Sequence, residues 1–175
     1  MTAPNLLNNA IQNENWEKVA SLIELYPDFM ADGLARVYPL LPVEYKFSIP
    51  INCYMHHGYL MPAICKYVRQ ARKLLPVERR VPAELLTLPE VMIYRAGAEP
   101  IGQAANRISW TTSLNVAKWF YERARLIREH RRLYKGVIAP DRIIWYKDGR
   151  KEKEVIQYRG VKDIVELNPA PPNKV

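Results

Sequence analysis

The sequence predicts an α+β fold: an N-terminal helical lobe followed by a mixed, mostly antiparallel β core. Two observations carry this expectation. Through the first half, apolar residues recur at helical spacing between prolines. After Pro89 the chain turns into short apolar runs separated by turn residues, with one amphipathic helix among them.

The helical half opens with Leu6 to Leu25, where Leu7, Ile11, Trp16, Val19, Leu22 and Ile23 form one loose stripe that Pro27 ends. A second helix is expected around Phe29–Leu40, closed by Pro39 and Pro42. The third runs from Tyr54 to Leu75, with Met61, Ile64, Cys65 and Val68 on one face. Pro76 and Pro82 mark a loop, and Ala83–Leu88 a short turn.

In the β half, Val91–Tyr94 reads as a buried strand. Gly97 to Asn106 reads as a polar loop, and Arg107 to Thr112 as a second strand. Thr112 or Ser113 then caps a helix whose apolar face is Val116, Phe120, Ala124 and Ile127. Strands are expected at Tyr134–Ile138, Ile143–Tyr146, Glu154–Tyr158 and Val161–Leu167, with turns at Pro140-Asp141 and Lys147-Asp148-Gly149-Arg150.

The 175 residues are 49% hydrophobic and 25% charged, which suits one globular domain with a real core. Residues 1–167 are expected to form it, with 1–88 as the helical lobe and 89–167 as the β-rich part. The tail 168–175, rich in proline, is expected to be flexible. The net charge of +8 favours anionic partners in general and chooses none of them. Much of the excess falls between Arg123 and Lys135, a basic helix that is either a solvated face or a docking surface for an acidic or nucleic-acid partner.

Cys53 and Cys65 sit among apolar residues outside any metal spacing, so they read as free thiols in a reducing compartment. His56-His57 point in different directions on a helix and have no third ligand at metal spacing, so no metal is expected. No charged-then-apolar leader opens the chain, and no apolar run approaches the roughly 18 residues that cross a bilayer. A cytoplasmic protein without a membrane partner is the expectation.

Three polar features interrupt this pattern. Arg95 ends the first strand. Ser109, Thr111, Thr112 and Ser113 surround Trp110 at a strand-to-helix junction. Glu152 and Glu154, the only Glu-x-Glu of the chain, open a strand. Taken singly, each has a structural explanation: a surface arginine, a strand edge with a helix cap, a charged guard on an edge strand.

Taken in order, Ile93-Tyr94-Arg95-Ala96-Gly97, Ile108-Ser109-Trp110-Thr111-Thr112-Ser113 and Lys151-Glu152-Lys153-Glu154-Val155-Ile156 resemble the Arg–Ser–Glu, cholera-toxin-like clan of mono-ADP-ribosyltransferases. The resemblance spans about Pro89 to Leu167 and implies a fold of that type. It implies NAD⁺ as substrate and no metal. Arg95 would meet the pyrophosphate, with Tyr94, Ser109, Thr112 and Ser113 completing the NAD⁺ site. Glu154 would stabilise the oxocarbenium-like ribose, and Glu152 would face the acceptor. If both acids lie in a strand they point to the same side.

A hydroxyl would orient the catalytic carboxylate, Thr111 by register or Ser109 as its competitor. A Glu-x-Glu pair in this clan accompanies an arginine acceptor, so a protein target is implied, with Lys147–Lys151 as the turn that meets it. Small members of this kind act as phage or bacterial effectors. Two other activities remain open: an NAD⁺ glycohydrolase using the same site, and a basic nucleic-acid-binding module without catalysis.

Overall fold

The computed structural model describes residues 3–56, 61–127, 129–148 and 151–167. The chain divides into two compact units, Met1–Leu75 and Pro76–Val175. The sequence drew its border later, at 88/89. Residues 76–88 join the second unit because Val77, Val81, Leu85 and Leu86 pack on its core. The tail 168–175 and the Gly149-Arg150 turn lie outside the described residues.

The first unit is helical: α1 (Ala3–Gln12), α2 (Trp16–Leu25), α3 (Pro27–Val37), α4 (Val43–His56) and α5 (Met61–Ala71). The single helix expected over Leu6–Leu25 is two. Glu14 adopts a left-handed φ of 50°, and the Asn15 side chain caps α2 by accepting the Lys18 amide at 3.0 Å. The stripe survives the break, because Leu7, Val19, Leu22 and Ile23 are all buried. Pro27 lies in the first turn of α3, where its missing N–H costs no helical bond.

Helix α4 escaped the sequence reading over residues 43–53, because Pro50 stands inside it and removes one helical hydrogen bond. The helix expected from Tyr54 to Leu75 is shared between the end of α4 and α5; His57 and Tyr59 fall outside the described residues. The core here is built on Leu7, Val19, Ile23, Leu34, Ile49 and Ile64. Cys53 belongs to it and is fully buried, whereas Cys65 is only half-buried.

The second unit contains α6 (Ala83–Leu86), β1 (Val91–Gly97), α7 (Ile101–Ala104), β2 (Ser109–Thr111), α8 (Leu114–Leu126), β3 (Arg132–Ile138), β4 (Ile143–Lys147), β5 (Glu154–Gln157) and β6 (Val161–Glu166). The strands form one sheet in the order β4-β5-β2-β1-β3-β6. Every pair is antiparallel. Val91, Ile93, Trp110, Tyr134, Ile143 and Val155 fill the core.

Two buried polar side chains lock the sheet. Arg80 donates from Nη1 to the Ile143 carbonyl and, at 3.3 Å, to that of Ile144; its own carbonyl accepts the Tyr146 amide at 3.0 Å. The segment carrying Arg80 thereby covers the edge strand β4, which would otherwise offer unpaired groups. Gln157 donates to the carbonyls of Ala105 and Arg107 and accepts the Gly160 amide at 2.9 Å, which ties β5 to the loop entering β2.

Among the described residues no helix is long and apolar enough to cross a membrane. The basic stretch is not one helix either. Helix α8 ends at Leu126, where the Glu129 amide returns to the Ala124 carbonyl at 2.8 Å. Arg131 pairs with Glu129 and Arg132 with Glu166. Lys135 lies in β3, and Arg128 is outside the described residues.

Burial pushes the Cys53 thiol up to about 12, helped by the charge of Glu24. The thiolate is the reactive form, so Cys53 should resist a maleimide in the native protein at pH 7.5. Mass spectrometry should find it labelled only after denaturant unfolds the first unit.

Candidate active site

In an antiparallel sheet, residues directly opposite each other share a side. Tyr94 of β1 faces Thr111 of β2, Thr111 faces Glu154 of β5, and Glu154 faces Lys147 of β4. These four form a row across the sheet, extended by Lys135 of β3 opposite Tyr94. Ser109 lies two residues from Thr111 on the same strand and so on the same side. It is the diagonal neighbour of Glu154, and its hydroxyl donates to Glu154 Oε1 at 2.7 Å.

The hydroxyl cluster is therefore divided by task. Thr111, the expected partner of the catalytic carboxylate, is buried and donates instead to the Glu152 carbonyl at 2.6 Å; it also accepts the Ser113 amide at 3.0 Å. The diagonal offset on the sheet gives Ser109 the carboxylate and leaves Thr111 the backbone of the loop before β5. Thr112 hydrogen-bonds Tyr146, whose phenol burial pushes above its ordinary value. Ser113 caps α8, accepting the Val116 amide at 3.4 Å. Tyr94 donates its hydroxyl to Met92 Sδ at 2.9 Å.

Glu152 departs from its expected geometry. It precedes β5 rather than lying in it, and its neighbours Lys151 and Lys153 have left-handed φ values of 57° and 47°. Such residues interrupt the pleat, so the alternation that would aim Glu152 and Glu154 to one side does not apply. Thr111 fixes the Glu152 backbone instead, and the Thr112 amide donates to the Lys153 carbonyl at 3.0 Å.

Arg95 follows Tyr94 and leaves β1 on the opposite side of the pleat. The β1–β2 ladder contains the single pair Tyr94–Thr111. Beyond it the strands part, and the Arg95 side chain supplies the missing link: Nη1 donates to the Ser109 carbonyl at 2.6 Å. The three residue types of the resemblance are thus connected. Arg95 holds the Ser109 backbone, and the Ser109 side chain holds Glu154.

Arg95 is itself held by Glu99, a residue the sequence reading missed. Its Nε donates to Glu99 Oε1 at 2.6 Å. The Glu99 side chain is 3% exposed, and its second oxygen meets Arg107 Nε at 3.5 Å. The Tyr134 hydroxyl donates to the Glu99 carbonyl. Burial works against ionising Glu99, but the Arg95 bond and charge, a backbone N–H and Arg107 outweigh it and hold the carboxyl below its usual range. Gly97 makes room for the fold-back: a Cβ there would lie 2.6 Å from Glu99 Cδ. An arginine and a glutamate four apart are read as a pair only on a helix, and here the intervening residues are the end of a strand and a loop.

No family model, curated protein or solved structure matches the chain.

A depressed folded pKa makes Glu99 stabilising above the unfolded carboxyl value, about 4.3, and that contribution is lost as pH falls through the folded value. Denaturant melts of wild type and Glu99→Gln should therefore differ most at neutral pH. The gap should begin to close below about pH 4.3, and a gap that widens on acidification would contradict the assignment.

Proposed function

We propose that the second unit is an NAD⁺-dependent mono-ADP-ribosyltransferase that modifies an arginine side chain on a target protein. The observation that carries this reading is the Arg95–Ser109–Glu154 chain of hydrogen bonds, which joins the three residue types in the order the sequence resemblance implies. Glycosidic cleavage needs a carboxylate fixed beside the ribose, because positive charge develops there as nicotinamide leaves. The Ser109 hydroxyl, bonded to one oxygen of Glu154, restricts the rotamer of that carboxylate.

In the reaction the bond between ribose C1′ and the nicotinamide nitrogen breaks, and nicotinamide departs as a neutral molecule. A new bond forms between C1′ and a guanidine nitrogen of the target. The acceptor's proton passes to a base, the role assigned to Glu152. The half-buried Glu152 stands on the loop just before Glu154, its backbone anchored by Thr111. Its neighbours Lys151 and Lys153 are exposed, which suits a loop that meets a second substrate. If water takes the place of the acceptor, the same site acts as an NAD⁺ glycohydrolase. The dispersal of the basic stretch over a helix end, a loop and a strand weighs against a nucleic-acid-binding helix.

Glu154→Ala should lower nicotinamide release from NAD⁺ by about a hundredfold or more, the scale for losing one electrostatic stabiliser of a developing charge. Ser109→Ala should lower it by about tenfold, as for a hydrogen bond to a charged group. Undiminished release in Glu154→Ala would remove the site from this face of the sheet.

Radiolabelled NAD⁺ mixed with the protein and a bacterial lysate should label a discrete band. Glu152→Gln should abolish that band while nicotinamide release into water persists. If transfer and hydrolysis are both unchanged in that variant, Glu152 has no acceptor role.

A further inference from the structure

Glu99 is a buried carboxylate shared by two guanidinium groups, with Arg95 on one oxygen and Arg107 on the other. A carboxylate so neutralised has no proton to offer near neutral pH and is poorly placed to act as acid or base. Its geometry suits a different task. One carboxylate brings two guanidinium groups to the same place, each through its Nε, and leaves their Nη2 groups for other acceptors.

The cations differ in exposure. The Arg95 side chain is 22% exposed and that of Arg107 48%. Two positive charges against one negative leave the cluster positive. Arg95 spends Nε on Glu99 and one Nη1 hydrogen on Ser109, which leaves Nη2 for another acceptor. The backbone of Arg107 is pinned as well, since its carbonyl accepts from Trp110 Nε1 at 3.0 Å and from Gln157 Nε2. The Arg95 guanidinium is thus held by two hydrogen bonds before any ligand arrives, and that of Arg107 by its ion pair to Glu99, which lowers the ordering cost of binding.

We propose that Glu99 is a positioning residue that presents Arg95 and Arg107 as a paired anion site, and that this pair takes the pyrophosphate of NAD⁺. The proposal rests on the NAD⁺ reading above and adds Arg107 and Glu99 to it. Arginine suits this duty because its planar fork matches phosphate oxygens two at a time. Ser109 links the pair to the reacting end, since its carbonyl accepts from Arg95 and its hydroxyl donates to Glu154. Gly97 is part of the device, because any side chain there would displace the Glu99 carboxylate.

Steady-state kinetics and calorimetry on the full chain test the proposal. Arg107→Gln alters a half-exposed side chain. It should raise KM for NAD⁺ about tenfold or more, the loss expected for a charge-assisted hydrogen bond, with kcat nearly unchanged. Inhibition by ADP-ribose, which keeps the pyrophosphate, should weaken in parallel, while inhibition by nicotinamide, which has none, should not move. Gly97→Ala changes no charge and should raise KM and weaken ADP-ribose inhibition as well by pushing Glu99 aside, and kcat should fall with them because Glu99 also holds Arg95 and through it Ser109. Glu99→Asp should restore part of the affinity that Glu99→Gln loses.

Wild-type turnover of NAD⁺ with unchanged KM and unchanged ADP-ribose inhibition in Arg107→Gln would overturn the proposal. Equal weakening of ADP-ribose and nicotinamide would do so too, since it would signal a general structural effect. If the wild type releases no nicotinamide yet binds ADP-ribose through Arg107, the transferase reading fails and the paired site stands. If it neither turns over NAD⁺ nor binds ADP-ribose, both fall.

Discussion

The guanidinium of Arg95 bridges a place where the sheet does not pair with itself. Strands β1 and β2 meet at Tyr94 and Thr111 and then part, leaving the Ser109 carbonyl without a ladder partner from β1. A main-chain carbonyl in a partly buried setting needs a donor, and Arg95 provides one from across the gap. Arg95 in turn brings a charge to a region with little water, and Glu99 offsets that charge from a buried position. Gly97 is the consequence of this arrangement, since the chain must fold back on itself within four residues to deliver the carboxylate.

The rest of the candidate site follows from the same opening. With the Ser109 backbone held by Arg95, the Ser109 hydroxyl is free to face Glu154 on the neighbouring strand. Thr111, one alternation further along β2, is too enclosed for that task and secures the loop before β5 instead. The two left-handed lysines around Glu152 are the cost of turning sharply into the strand, and the Thr111 hydroxyl and the Thr112 amide hold that turn. The side chains of Ser109, Thr111, Thr112 and Ser113 thus serve four separate needs: the carboxylate, the loop, the Tyr146 phenol and the helix cap.

Elsewhere the polar groups buried in the second unit serve the sheet. Arg80 seals the β4 edge, and Gln157 binds β5 to the loop that begins β2. Both read in the sequence as ordinary loop or strand residues. Arg80 follows another arginine in a basic, proline-flanked segment, and Gln157 continues a strand pattern. Nothing local distinguishes a buried arginine from a solvated one; only the carbonyls that converge on it do so.

The sequence by itself determined the six strands and the long helix of the second unit. The short helices α6 and α7 stand where it read a turn at Ala83–Leu88 and a polar loop at Gly97–Asn106, because a single helical turn is too short to show a period. Each of the six strands overlaps a segment that the sequence marks as a strand, and the cap of α8 is one of the two hydroxyls proposed for it. Periodicity and capping depend on neighbours within a few positions, so they are legible in a linear reading. The same reading joined α1 to α2, because a stripe can continue across a turn, and it missed the start of α4, because a proline inside a helix is tolerated when packing compensates. The strand order, the partner of Glu154, the departure of Glu152 from the pleat and the role of Glu99 were decided by tertiary structure alone. The bond from Ser109 to Glu154 spans 45 positions and depends on a diagonal offset between two strands. The grip of Glu99 on Arg95 depends on the bend that follows Gly97 and on the space that a glycine leaves there. A hydrogen bond is set by distances in space that the order of residues does not contain.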